Sequence, residues 1–124
     1  MRIGVPKEIF EGEKRVATTP DVAAQLQKLG FSVAVESGAG VAAAFDDAAY
    51  RAAGVTIIDD PRTLWSTSEI ILKVRPPEHH PALNQDEVDL LRAGQTLIAF
   101  LWPAQNPDLL KRLASYEERL RKQP

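Results

Sequence analysis

At 124 residues the chain has room for one domain with a real core, and its 44% apolar and 26% charged content is ordinary for a globular protein. A formal net charge of −2 argues against nucleic acid or an anionic membrane surface as partner. The absence of cysteine rules out a disulfide scaffold and a thiol nucleophile and suits a cytoplasmic protein, while no apolar run is long enough for direct membrane insertion.

The amino terminus, MRIGVPKE, enters a strand at once, without the apolar core of a signal peptide. Residues 2–5 read as that strand, ended by Pro6, which has no N–H for a ladder. The charged stretch 7–16, with Gly12 inside it, reads as a loop at the strand's carboxyl end. Thr19 then caps a helix, with Pro20 at its first position and Asp21 near its positive end. Val22, Leu26 and Leu29 form the expected inward stripe, and Gly30 ends the helix. Residues 31–36 (FSVAVE) alternate apolar with small or polar, which predicts a half-buried strand.

Residues 37–40 (SGAG) form a turn, and Asp46 caps a short helix whose Ala49, Tyr50 and Ala53 point inward before Gly54 closes it. A strand at 55–58 follows, then a single helical turn at 61–66 carrying Trp65. Residues 69–74 (EIILKV) predict a buried strand stopped by Arg75-Pro76-Pro77. After it come a loop at 78–85 and a helix at 86–92, ended by Gly94. The run 96–101 reads as a strand buried on both faces, with Trp102 at its end. Asn106-Pro107-Asp108 opens a last helix reaching about residue 121. Five strands alternating with helices through short loops predict one α/β domain over 1–124. Its expected architecture is an open, mainly parallel five-stranded sheet with helices on both faces, a Rossmann-like or flavodoxin-like three-layer fold.

In such a sheet, polar residues after the strands' carboxyl ends share one crevice. Lys7, Glu8, Lys14 and Arg15 follow the first strand, Lys73 lies near the end of the fourth, and Trp102 and Gln105 follow the fifth. Lys73 interrupts an apolar strand, where an unpaired ammonium is costly to bury. It either forms a cation clamp with Arg15 for a carboxylate or phosphate, or pairs structurally with Glu8. His79-His80 reads as a solvated loop, since adjacent residues share no face and a third metal ligand is missing. Gly38-Ala39-Gly40 lacks the third glycine of a dinucleotide fingerprint. Trp65 and Trp102 read as core or interface aromatics.

Several segments taken together carry a resemblance. MRIGVPKE at 1–8, Arg15-Val16-Ala17 with Thr19-Pro20, VESGAG at 35–40, ILKV at 71–74 and FLWPAQNP at 100–107 stand in one order and spacing. They resemble the amino-terminal domain shared by alanine dehydrogenase and the α subunit of proton-translocating NAD(P) transhydrogenase, over about residues 1–114. In alanine dehydrogenases an Arg and a Lys at the places of Arg15 and Lys73 hold the substrate carboxylate, and a catalytic His stands where this chain has Trp102. Trp102 has no proton to exchange with a carbonyl, and LWPAQNP with Phe45-Asp46-Asp47 follows the transhydrogenase form.

The resemblance implies hydride transfer between NADH and NADP, coupled to proton translocation. The implied partners are a remaining NAD-binding domain and an NADP-binding membrane subunit, in a cytoplasmic location peripheral to the inner membrane. A homodimer is a further expectation. Residues 115–124 depart from the family pattern, and the chain carries no nucleotide-binding motif, so it reads as a truncated or rebuilt domain. Leu113, Tyr116 and Leu120 would give its tail an apolar stripe. On this reading no catalytic residue lies in the chain, which binds neither NAD nor NADP by itself. Its cleft candidates are Arg15, Lys73, Glu8, Trp102 and Gln105. The alternatives are a non-catalytic module for small carboxylates or for interaction, and an alanine-dehydrogenase-type domain disfavoured by Trp102.

Overall fold

A computed structural model describes residues 1–100, 108–109, 111 and 113–114. The chain opens with β1 (Arg2–Val5), α1 (Pro20–Lys28), β2 (Ser32–Glu36), α2 (Asp47–Ala52), β3 (Thr56–Ile58), α3 (Pro61–Thr67) and β4 (Ile70–Leu72). Then come a short strand pair, β5 (His79–His80) and β6 (Gln85–Asp86), a 3-10 turn at Glu87–Leu90, and β7 (Thr96–Ile98). Five strands form one sheet in the order β3-β2-β1-β4-β7, and every neighbouring pair is parallel. This is the expected α/β architecture. Asp108, Leu109, Lys111, Leu113 and Ala114 are helical, within the expected last helix. The rest of that expected helix, Tyr116 and Leu120 of its stripe, Trp102 and Gln105 lie outside the described residues.

Two cores flank the sheet. On one face Ile3, Val5, Val33 and Val35 pack with Ala23 of α1 and Tyr50 of α2. On the other lie Leu64 and Trp65 of α3, both fully buried. The helix starts follow their sequence cues. Thr19 Oγ1 accepts from the Val22 N–H, Asp46 Oδ1 from the Ala49 N–H, and Asp60 Oδ1 from the Arg62 N–H. The Tyr50 hydroxyl donates 2.7 Å to the Thr18 carbonyl inside the first core, so Tyr50→Phe leaves that oxygen buried and unpaired. Urea unfolding of Tyr50→Phe should show a loss of about 1–2 kcal/mol.

Five expectations need correction. β2 is buried on both faces, because it is an inner strand with helices above and below, and Ala34 is as buried as Val33 and Val35. α1 meets the core through Ala23 and, as expected, Leu26, which turns Val22 and Leu29 to solvent. β7 is an edge strand paired only with β4 among the described residues, so Ile98 and Phe100 are exposed rather than buried. The expected loop at 78–85 contains a β-hairpin, and the helix at 86–92 shrinks to the 3-10 turn. Asp86, at the start of that turn, makes no side-chain cap bond and pairs with His79 instead.

One close approach lies in the centre of the sheet. A Cβ added to Gly4 would fall 2.0 Å from Ser68 Oγ and 2.6 Å from Ser68 Cβ. Only the bare backbone lets α3's end reach β1.

Candidate functional site

From β1 the chain crosses toward β2, and from β4 it crosses toward β7, so the connections diverge between these two neighbours. Such a switch point leaves a crevice at the strands' carboxyl ends. The segment after β1 brings Lys7, Glu8, Glu13 and Arg15 to it, and the end of β4 brings Lys73, Val74 and Arg75.

Glu8 fastens the two strand ends together. Its Oε1 accepts from Lys73 Nζ at 3.0 Å and the Arg75 N–H at 3.1 Å, and its Oε2 from the Val74 N–H at 2.9 Å. Lys73 Nζ also lies 3.4 Å from Glu87 Oε1, and all three side chains are buried. The sequence left Lys73 between a ligand clamp and a pair with Glu8; its ammonium is engaged by Glu8 and by Glu87. Burial pushes the Glu87 carboxyl up to about 7 against the pull of Lys73. Its Oε2 is buried and has no hydrogen-bond partner.

A second ion group lies on the rim. Arg15 Nε and Nη2 fork onto Glu13 at 3.0 and 2.8 Å, and the Arg15 N–H adds a bond at 2.9 Å. Arg75 Nε reaches the same carboxylate at 3.2 Å, and its guanidinium lies 3.7 Å over the Phe10 ring. The Arg15 bonds, above all, hold the Glu13 carboxyl at about 2. Nearby, Glu36 accepts from the Lys7 N–H, and burial raises its carboxyl.

Arg15 and Lys73 line the same open cleft of about 340 Å³, with Val16, Leu72, Ile98 and Phe100 as its apolar walls. A second cleft of about 200 Å³ is lined by Lys7, Glu8, Glu13 and Arg15 together with the Gly38–Ala39 turn. The structure therefore brings Arg15, Lys73 and Glu8 together, whereas Trp102 and Gln105 fall outside the described residues. Glu13 and Glu87 were not singled out from the sequence. Both sit in charged stretches, EGEKR and DEVD, where nothing marks one carboxylate as destined for burial.

The remaining candidates resolve differently. His79 is exposed and pairs with Asp86 at 2.8 Å. His80, expected in a solvated loop, is buried on the hairpin, where Nδ1 accepts from the Leu83 N–H and desolvation lowers its pKa. No group of three metal-ligating side chains occurs among the described residues. The SGAG turn is committed to Asp47, whose carboxylate takes the Ser37 hydroxyl at 2.6 Å and the Gly38 N–H at 2.9 Å. No helix among the described residues is long and apolar enough to cross a membrane.

Known proteins resemble the chain in sequence and in fold. The chain is 53% identical over 111 residues to the NAD(P) transhydrogenase subunit alpha of Cereibacter sphaeroides, covering 90% of this chain and 20% of that one. It is 43% identical over 113 residues to the alanine dehydrogenase of Halomonas elongata, covering 91% and 29%. The crystal structure of transhydrogenase from Sinorhizobium meliloti superposes with a TM-score of 0.82 at 30% identity, over 94% of this chain and 33% of that one. The chain thus spans a fifth to a third of the length of these relatives. The model of the alanine dehydrogenase/PNT N-terminal domain matches residues 4–120, and the chain belongs to that family.

Proposed function

We propose that this chain acts as the first domain of an NAD(P) transhydrogenase α subunit, in an assembly that passes hydride between NADH and NADP and couples it to proton translocation. The observation that carries this reading is the 53% identity to a transhydrogenase α subunit, against 43% to an alanine dehydrogenase over nearly the same span. Trp102 supports it, since an indole has no proton to trade with a substrate carbonyl at neutral pH.

The described residues do not fit a dinucleotide. The one glycine-rich turn spends its Ser37 hydroxyl and Gly38 amide on Asp47 instead of a phosphate. On this reading NAD and NADP are gripped elsewhere in the assembly, by an NAD-binding domain and an NADP-binding membrane subunit, on the cytoplasmic side of the inner membrane. The chain's own contribution is a wall of the crevice that includes Arg15, Lys73 and Glu8, with Trp102 and Gln105 as the further candidates from the sequence. It positions and shields rather than reacts.

The test is a chimera in which this chain replaces the matching 20% of the Cereibacter sphaeroides subunit. Reduction of an NAD analogue by NADPH should persist within about tenfold of the parent, about 1.4 kcal/mol in barrier. A folded, assembled chimera without hydride transfer would overturn the proposal, as would alanine-dependent reduction of NAD.

A further inference from the structure

Glu87 occupies a position that neither the family reading nor the crevice explains. It joins the 3-10 turn to the base of the β5–β6 hairpin by a reciprocal pair: its N–H donates to the Glu78 carbonyl, and its Oε1 accepts from the Glu78 N–H, both at 2.8 Å. The same Oε1 lies 3.4 Å from Lys73 Nζ at the end of β4. One buried carboxyl thus ties the hairpin to the main sheet.

Its electrical surroundings are unequal to its charge. Glu8 takes three donors and holds Lys73 at the shorter distance, 3.0 Å. Glu87 has one amide and a distant share of the same ammonium, while its Oε2 has no partner. With all three side chains ionised, the cluster holds two negative charges and one positive in a space closed to water. Among the described residues the neighbouring elements supply no second cation at bonding distance. On α3, packed against the turn, Arg62 is directed to Leu83 O and Gln85 Oε1. On β6, Asp86 is paired with His79. Asp89, on the turn itself, is another acid, and His80 feels repulsion from Lys73 and Arg62. Of the two buried carboxyls, Glu87 is the one that gains by taking up a proton.

We propose that Glu87 is a protonation-controlled latch: neutral, it keeps the Glu78 amide and its contact with Lys73 and holds the hairpin on the sheet; charged, with Oε2 unpaired and Glu8 holding Lys73 more closely, it loosens the segment 78–91 from the end of β4. Lys73 also walls the 340 Å³ cleft, so the latch sets how firmly that wall is braced. Glu87 is a positioning residue here and needs no contact with any ligand. The inference stands independently of the hydride-transfer reading.

Titration of the Glu87 side-chain carboxyl carbon by nuclear magnetic resonance from pH 4 to 9 tests the proposal on the unaltered chain. The expected midpoint is about 7; a midpoint in the ordinary carboxylate range overturns it. Stability provides a second readout. The folded state keeps a proton that the unfolded state sheds above about 4.5, so the unfolding constant should rise up to about tenfold per pH unit toward pH 7, then level off. His80, whose pKa is lowered, works the other way, since its burial as a neutral ring favours folding as pH rises toward 6.5. Glu87→Gln should abolish the loss and leave the His80 trend, and amides in 78–91 should keep their protection factors above pH 7. An unchanged pH slope in Glu87→Gln overturns the latch. If that variant does not fold, the carbon titration decides alone.

Discussion

Lys73→Met should lower the unfolding free energy by about 3–5 kcal/mol at pH 7.5, the cost of removing one partner from a buried ion pair. Methionine keeps most of the stem's volume, so packing alone changes little. What the substitution removes is the ammonium 3.0 Å from Glu8 and 3.4 Å from Glu87. Glu8 keeps its two amide donors from Val74 and Arg75; Glu87 keeps only Glu78. Urea unfolding measures the loss. Glu8→Gln in the same background should restore part of it, because a neutral amide needs no counter-charge. A loss below about 1 kcal/mol would mean that water reaches the cluster and screens it.

Gly4→Ala should be the next most damaging small change, with a loss of about 1–3 kcal/mol or more from overpacking. The new methyl would meet Ser68 Oγ at 2.0 Å. That hydroxyl cannot swing aside freely, since it donates to the Leu64 carbonyl at 2.6 Å. Nor can the backbone retreat, with Ala34 registered on one side of Gly4 and Ile71 on the other. Ser68→Gly in the same chain should recover most of the loss, and unfolding curves of the two variants check this. A Gly4→Ala chain as stable as its parent would mean that α3 is free to shift off the sheet.

Local chemistry carried much of the fold. Thr19 and Asp46 act through atoms three residues away, so a cap can be read from its own neighbourhood. The five strands of the main sheet were equally legible, because apolar runs between Gly and Pro have few other uses. Burial was not. The alternation in β2 suggested one wet face, but the packing of α3 is decided by residues 30 positions on, and it covers Ala34. β7 failed in the opposite sense: its apolar run could not reveal that it pairs only with β4 among the described residues.

The site divided the same way. Lys73 was conspicuous because a cation broke an apolar strand, and Glu8 was the obvious nearby acid. Glu87 was invisible, since its role depends on a hairpin that the sequence disguises as a loop. His79 and His80 show the limit most plainly, for two identical adjacent residues end with opposite exposure, set by the alternation of a strand only two residues long.

The order β3-β2-β1-β4-β7 places the earliest strand of this sheet at its centre. During synthesis from the amino end, β2 and then β3 join one flank, and β4 and then β7 join the other. Each arrival finds an open border, and none has to wedge itself between two strands already joined. A ribosome could therefore release this sheet from the middle outward.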